Sequence, residues 1–307
     1  MSASQTDLNK SVLVALDGSP AAKTALPVAR AIAKQIHARL TILHVAPTKI
    51  PDATRRRRLD LGTENLEEVD LHIHQGDAAA GILRMIDDPR VFLTVLTTHG
   101  RRIEQGRALG RVAEAVIAAT SRPILLVRPE AGEPYAASMS LVRCMLFPLD
   151  GTPTTASGFE PVTHLASTLQ ASVDVLYVAN PGQQRPSESG SVSMPSYVDQ
   201  PQHEWPEWAS EVMERLEACA RCPEDVPVRV YLAYGNVEDE IIRFAVAHHE
   251  DVIALVRRSH MEPGRAHVLR AVLNRTPCPV LLTGASPAEN PNNNACAPAA
   301  AIPQGRR

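Results

Sequence analysis

Residues 11–20, SVLVALDGSP, decide the fold, because the same pattern returns as RCMLFPLDGTP at residues 143–153. In both places a short apolar run ends in Leu-Asp-Gly, followed by a hydroxyl residue and Pro. Asp17 and Asp150 are 133 positions apart. Self-similarity at a fixed offset is the signature of an internal repeat. The sequence therefore predicts two copies of one structural unit.

The repeat continues through both copies, with one large insertion. The second apolar run, LTILHV at 40–45, returns as VDVLYV at 173–178 with the same offset. Gly76-Asp77 pairs with Gly235-Asn236 at an offset of 159, so the second copy has 26 additional residues between its second and third runs. We therefore predict an N-terminal extension at 1–10, a first domain at 11–128, a linker at 129–142, a second domain at 143–284 with a long loop at 180–208, and a disordered tail at 285–307.

Within each copy, apolar β-branched runs alternate with helical patterns. After the first run, Ser19 is a residue type preferred at helix N-caps, and Pro20 is one preferred at the first helical position. Apolar residues then recur with helical spacing up to Ile36. Near-continuous apolar strands with helices between them indicate a parallel sheet covered on both faces. The predicted fold is α/β, with two tandem doubly wound parallel-sheet domains.

Composition and charge argue against several classes of function. The chain has 307 residues, of which 44% are hydrophobic and 21% charged, as is typical of soluble globular proteins. Its 31 Lys and Arg against 34 Asp and Glu give a formal charge of -3, so no basic field favours nucleic acid. No apolar run approaches the ~20 residues of a membrane span, and no apolar signal core follows the N-terminus. We expect a cytoplasmic protein that binds neither nucleic acid nor membrane.

Sequence motifs typical of catalysis are missing. The chain has no Gly-x-Ser-x-Gly nucleophile elbow, no Gly-x4-Gly-Lys-Ser/Thr phosphate loop and no Gly-x-Gly-x2-Gly after a strand. Its 11 histidines show no spacing typical of a metal site. We therefore expect neither an efficient enzyme nor a metal centre, while slow hydrolysis of bound ATP is left open.

Several short motifs occur in the order that they have in a known family. In the first half these are Asp17-Gly18-Ser19, Leu43-His44-Val45, Gly76-Asp77, Thr98-His99-Gly100 and the run from Gly110 to Ile117. On these motifs each half resembles a universal stress protein domain, the second half more loosely, and the chain resembles the tandem members of the family. The resemblance implies two five-stranded sheets of strand order 3-2-1-4-5, of the adenine-nucleotide alpha-hydrolase-like type, with ligands above the carboxyl ends of the strands.

The resemblance also implies a nucleotide-binding loop in the first half. Many family members bind ATP through Gly-x2-Gly-x9-Gly-Ser/Thr, in which glycines let backbone N–H groups approach phosphates at a helix N-terminus. Here Thr97 replaces the first Gly, and Gly100 and Gly110 match the next two. Arg111 replaces the hydroxyl residue. Its guanidinium either pairs with phosphate oxygens or folds into the cleft and fills it, and the sequence does not decide between these roles.

Four further residues complete the candidate site. By the same resemblance, Asp17 meets the adenine or the ribose, and the backbone of Val45 meets the base. The alternatives are that Asp17 only caps a turn and that Val45 is a core residue. His99 lies on the loop, and Val112 follows Arg111. The implied cofactor is ATP with Mg²⁺ in the first half.

The second half has lost the loop motif. Ala266 and His267 occupy the Gly-Ser/Thr position, and no glycine cradle remains. We expect this half to have a structural or regulatory role, with a small anion site formed by Arg257, Arg258 and Arg265 left open.

These observations lead to the hypothesis of a cytoplasmic tandem universal stress protein, a non-catalytic stress-response regulator that binds an adenine nucleotide in its first half. One alternative is a scaffold that binds no nucleotide and acts through contacts with an unknown protein partner; the other is a slow nucleotide hydrolase. We expect the halves to form an intrachain pseudo-dimer through their last strands, 123–127 and 279–283, because apolar edge strands need covering. A further homodimer is left open.

Overall fold

The computed structural model describes residues 10–46, 69–100, 108–129, 141–179, 222–257 and 263–284, with isolated positions 191, 210, 212–214 and 216. Most of the predicted N-terminal extension, linker and 180–208 loop, and the whole 285–307 tail, lie outside the described residues.

Strands and helices alternate in both halves, and the first, second and last strands of each half lie within a few residues of the apolar runs identified in the sequence. The first half contains β1 Ser11–Ala15, α1 Pro20–Lys23, α2 Ala25–Gln35, β2 Arg39–Ala46, β3 Val69–Gln75, α3 Ala78–Ile86, β4 Val91–Thr97, α4 Arg111–Ala119 and β5 Ile124–Val127. The second half contains β6 Cys144–Leu149, α5 Pro153–Ala156, α6 Phe159–Leu169, β7 Ser172–Ala179, β8 Val228–Tyr234, α7 Val237–Ala247, β9 Val252–Arg257, α8 Pro263–Arg275 and β10 Val280–Gly284. None of the described helices is long and apolar enough to cross a membrane.

The strands form one ten-stranded sheet in the order β3-β2-β1-β4-β5-β10-β9-β6-β7-β8. Each half by itself has the order 3-2-1-4-5 that the family resemblance implied. Neighbouring strands are parallel within each half, and β5 and β10 pair antiparallel, with Leu125 opposite Leu281. The last strand of each half therefore covers the edge of the other, and the two five-stranded sheets are continuous.

An apolar layer covers each face of the sheet. Val12 and Val14 belong to one layer and Leu13 to the other, because side chains alternate along a strand. The layer of Val14 includes Phe147 and Phe159 of the second half, whose ring centroids lie 5.4 Å apart. Helices α2 and α6 pack on this face, and α3, α4, α7 and α8 pack on the other. Since both layers contain residues of both halves, the halves share a hydrophobic core.

The turn after the first strand is the same in both halves. The Asp17 carboxylate accepts a hydrogen bond from the amide two residues further on (2.8 Å), and Asp150 does the same (3.0 Å). Gly18 and Gly151, which follow the two aspartates, have φ angles of 81° and 77°. Glycine adopts this left-handed region at no steric cost. The repeated Leu-Asp-Gly motif therefore encodes one turn geometry twice.

The predicted start of the first helix is confirmed, but the helical run has a break. Ser19 is the N-cap of α1, its Oγ accepting from Ala22 N (3.1 Å), and Pro20 is the first helical residue. Helix α1 ends at Lys23, and the helical run resumes as α2 at Ala25. Thr24 stands between the two helices, and its hydroxyl donates to Ala21 O (2.7 Å). Such a side-chain bond to a nearby carbonyl competes with regular helix geometry.

The side chain of Gln35 joins the two halves. The Gln35 amide nitrogen donates to Val142 O (2.8 Å) and to Leu169 O (2.6 Å), while its oxygen accepts from Val142 N (2.8 Å). The end of α2 is therefore hydrogen-bonded both to Val142, two residues before β6, and to the end of α6.

Candidate functional site

A cleft of about 360 Å³ opens at the carboxyl ends of β1, β2 and β4, on the face covered by α3 and α4. The strand order reverses at β1, whose neighbours are β2 and β4, and ligands of doubly wound folds bind at such a switch point. The cleft is lined by Ala15, Leu16, Asp17, Ala22, Leu43, Val45, Ala78, Ile82, Leu96, Thr97, Thr98, Gly100, Gly110, Arg111, Val112 and Ala113.

The structure brings together most of the candidate residues, although they are far apart in sequence. The cleft is lined by seven of them: Asp17, Val45, Thr97, Gly100, Gly110, Arg111 and Val112. His99 is not among the described lining residues; its Nδ1 lies 3.2 Å from Thr98 Oγ1. The remaining lining residues are mostly apolar strand ends and residues of α3, none of which was a candidate site residue in the sequence analysis.

Asp17 both caps a turn and lines the cleft, so the two roles considered for it are compatible. Its Oδ1 accepts from the buried Ser19 N (2.8 Å). Its Oδ2 lies against Gly100, where an added Cβ would stand only 2.6 Å from that oxygen. Any side chain at position 100 would therefore displace the Asp17 carboxylate. This contact explains structurally why the second loop position is glycine.

Gly110 positions the start of α4 at the cleft. Its N–H donates to Thr98 O (2.7 Å), and it is the N-cap of α4 without any side-chain cap hydrogen bond. The helical ladder begins with Glu114 N donating to Gly110 O (3.0 Å). A helix N-terminus carries a positive partial charge and amides that lie ahead of the ladder. Since Arg111, Val112 and Ala113 line the cleft, this end of α4 is suited to an anionic group.

The backbone of Val45 faces the cleft side of β2. Pairing of β2 with β1 ends at Leu43, whose carbonyl accepts from Leu16 N (2.9 Å), whereas pairing with β3 continues to Ala46. Residues two apart in a strand direct their backbone groups to the same side. The N–H and C=O of Val45 therefore point past the end of β1. The side chain of Val45 packs closely on Gly81 of α3, where an added Cβ would lie 2.8 Å from its Cγ2.

The two substituted loop positions leave the cleft open. Thr97 is half-buried at the end of β4, and Arg111 is exposed although it lines the cleft. The Arg111 side chain therefore does not fill the cleft, and a cationic group stands beside the α4 N-terminus. Val112 follows as an apolar side chain that is 43% exposed.

A side-chain pair stands at the corresponding place in the second half. By the repeat offsets, His267 occupies the position of Arg111 and Glu238 that of Ala79. His267 Nδ1 lies 2.7 Å from Glu238 Oε1, which joins α8 to α7, the counterparts of the helices that flank the first-half cleft. Burial lowers the pKa of the Arg257 guanidinium at the end of β9. The side chains of Arg258 and Arg265, which were considered for an anion site with Arg257, lie outside the described residues.

The fold and the site define a tandem doubly wound α/β protein with a ligand-sized cleft at a switch point. Comparison with known proteins gives the family. The universal stress protein family model matches residues 9–128 and again 142–284. The chain therefore belongs to the universal stress protein family, and it contains two copies of the family domain.

Individual relatives agree with this assignment. A Thermus aquaticus protein described as "universal stress protein in QAH/OAS sulfhydrylase 3'region" is 31% identical over 136 residues, which are 39% of this chain and 98% of the relative. The crystal structure of a universal stress protein from Archaeoglobus fulgidus is similar over 92% of this chain and 100% of its own, with a TM-score of 0.60 and 14% identity. A protein of unknown function from Pseudomonas aeruginosa covers 90% of this chain and 92% of its own, with a TM-score of 0.55 and 15% identity. At these identities the structures show the shared fold alone.

Proposed function

We propose that this universal stress protein is a cytoplasmic, non-catalytic stress-response regulator whose first half binds an adenine nucleotide. The observation that carries the proposal is the cleft itself. It places a carboxylate, an unpaired strand edge and an uncapped helix N-terminus around one open volume of about 360 Å³.

The three features suit the three chemical parts of a nucleotide. The backbone of Val45, with the apolar side chains of Leu43, Ile82 and Leu96 around it, suits a purine ring. The Asp17 carboxylate is an acceptor for sugar hydroxyls.

The phosphate groups belong at the α4 N-terminus. There Gly100 and Gly110 carry no side chain of their own, and the helix end favours an anion. The Arg111 guanidinium, in the place of the family's hydroxyl residue, can form paired charge-assisted hydrogen bonds with phosphate oxygens. The described residues hold no group of three His, Cys, Asp or Glu side chains placed for a metal ion. We propose that Mg²⁺ enters with the nucleotide, bound chiefly by its phosphates.

The second half lacks a matching glycine cradle, and the Glu238–His267 pair joins its two helices at that position. We infer that it binds no nucleotide and that each chain takes up one. The output of the regulator is then a contact with a protein partner, which the nucleotide-bound first half favours or disfavours.

The alternative is a scaffold that binds no nucleotide and acts only through protein contacts. Calorimetric titration of the full chain with ATP and Mg²⁺ separates the two. If the proposal holds, we expect saturable binding of ATP. Gly110→Val should weaken this binding, because a branched side chain would stand at the α4 N-terminus. The matched second-half variant Glu238→Ala is expected to bind like the unmodified chain. No heat of binding at millimolar ATP would favour the scaffold.

A further inference from the structure

A cluster of charged groups, two of them buried carboxylates, lies at the opposite end of the second half from the ligand edge of the sheet. Asp174, near the start of β7, is 2% exposed, and Glu250, two residues before β9, is 5% exposed. Arg229 stands near the start of β8, and its Nε lies 2.8 Å from Asp174 Oδ1. Burying two carboxylates in this way is costly unless each is paired.

Glu250 is the unmatched member of the cluster. Both of its carboxylate oxygens are buried, and neither has a hydrogen-bond partner among the described residues. The one guanidinium that the described residues place in the cluster, that of Arg229, is bound to Asp174. A single positive charge therefore faces two acids, and among the described residues the second acid has no cation hydrogen-bonded to it.

The groups around Glu250 make its neutral form the stable one. Titratable groups from several elements interact electrostatically with Glu250. They are Asp174 from β7, Arg229 and Tyr231 from β8, Asp251 from the adjacent turn and Cys278 from the segment before β10. Burial, and then the Asp174 charge, raises the pKa of Glu250 to about 8, while Arg229 lowers it. Burial also raises the pKa of Tyr231, and that of Cys278 to about 12, so both are neutral when Glu250 titrates.

The first half does not need such a cluster to form the same fold. By the repeat offsets, Thr41 stands at the position of Asp174 and Val91 at that of Glu250. Both are buried as ordinary core residues of the corresponding strands. The pair of acids is therefore a property of the second half alone and is not required by the sheet.

We propose that Glu250 is a proton-binding residue that couples the packing of the second half to alkaline pH. With its proton bound, the acid is neutral and can donate to the Asp174 carboxylate. When the proton leaves to solvent, the two buried carboxylates share a single guanidinium, that of the half-exposed Arg229 side chain, and the starts of β7, β8 and β9 loosen. This device is independent of nucleotide binding in the first half.

The sign of the pH effect follows from linkage. The unfolded chain ionises Glu250 near its ordinary pKa of 4.5, while the folded chain keeps the proton up to about pH 8. Between these values the folded state binds more protons, so its stability falls as the pH rises, by about tenfold in the folding equilibrium per pH unit at most.

Chemical unfolding of the full chain at pH 5 to 9, compared with Glu250→Gln, tests the proposal. We expect the unmodified chain to lose stability relative to Glu250→Gln across this window and the difference to level off above about pH 8. Glu224→Gln, a change at an exposed acid of the same half, is the matched control and is expected to follow the unmodified chain. Parallel pH profiles for the unmodified chain and Glu250→Gln would overturn the proposal.

A second measurement on the unmodified chain covers the case in which Glu250→Gln fails to fold. Amide hydrogen exchange, corrected for its intrinsic pH dependence, is expected to show lower protection in β7 and β8 above pH 8. The corresponding strands of the first half, β2 and β3, serve as the internal reference and should keep their protection. Equal behaviour of the two strand pairs would contradict the proposal.

Discussion

The substitution Gly100→Ser tests the geometry of the ligand cleft most sharply, because the same change at Gly110 provides a matched control. A Cβ on Gly100 would stand 2.6 Å from Asp17 Oδ2, well inside contact distance. A Cβ on Gly110 would lie 3.4 Å from its nearest neighbour, Thr98 O, at the edge of ordinary contact. Neither glycine has a positive φ, so the backbone accepts serine at both positions.

The size of the effect follows from the hydrogen bond that Asp17 has to give up. Moving its carboxylate away from the introduced serine side chain separates Oδ1 from Ser19 N, a donor on a residue that is only 7% exposed. Leaving a buried donor unsatisfied costs about 1–3 kcal/mol. Each kcal/mol lowers Tm by about 2–4 °C in a protein of about 150–250 residues, which is an upper bound for this chain of 307 residues. Serine at the Gly110 N-cap should instead stabilise α4 by a few tenths of a kcal/mol, roughly.

Thermal unfolding of the two variants, followed by circular dichroism, provides the assay. We expect Gly100→Ser to melt several degrees below the unmodified chain and Gly110→Ser to melt within about a degree of it. In calorimetry, Gly100→Ser should also bind ATP about 10- to 100-fold more weakly, since a charged hydrogen-bond acceptor has moved. Equal melting temperatures for the two variants would refute the placement of Asp17 against Gly100.

Three further predictions concern the ligand cation, the cleft wall and the contact between the halves. Arg111→Ala should weaken ATP binding about 10- to 100-fold through loss of charge-assisted hydrogen bonds, yet leave adenosine binding unchanged; equal losses for both ligands in calorimetry would argue against a phosphate contact. Gly81→Leu should destabilise the chain by about 1–3 kcal/mol and weaken ATP binding, because the new side chain displaces Val45 from the cleft; a stable variant with full affinity would contradict this packing. Gln35→Ala should lower the free energy of unfolding by about 1–3 kcal/mol in denaturant, since it leaves the backbone groups of Val142 without their partner; an unchanged value would show that water replaces this contact at no cost.

Much of the fold follows from local patterns in the sequence. Short apolar β-branched runs determine the strands, and the repeated Leu-Asp-Gly motif determines a turn whose Gly18 and Gly151 have nearly equal φ angles. The strand order could be predicted only from the family resemblance, because the periodicity of the sequence gives no information about which strands are neighbours. The break in the first helix was not predicted, since it depends on a hydroxyl of Thr24 that bonds to the backbone locally.

The candidate site was predictable where backbone geometry constrains the residue type. Gly100 and Gly110 could be identified because glycine allows close approach of other groups to the backbone. The direction of the Arg111 side chain could not, because it depends on the tertiary surroundings of an exposed residue. The apolar lining residues Ile82 and Leu96 belong to no motif, and Leu43, although part of the Leu43-His44-Val45 motif, had no predicted role in the site.

The buried acid of the second half illustrates another limit. In the sequence, Glu250 is one acidic residue at a helix end, next to Asp251, where solvent exposure is the ordinary expectation. Only the pairing of β7 with β8 brings Asp174 and Arg229 together beside it. Interactions between residues this far apart in sequence leave no local pattern.

Equilibrium dialysis of the full chain against radiolabelled ATP with Mg²⁺ tests the central claim most directly, because it counts the bound molecules. One open cleft in the first half predicts saturation at one ATP per chain. Saturation at two, or retention of none at millimolar ATP, would contradict the account.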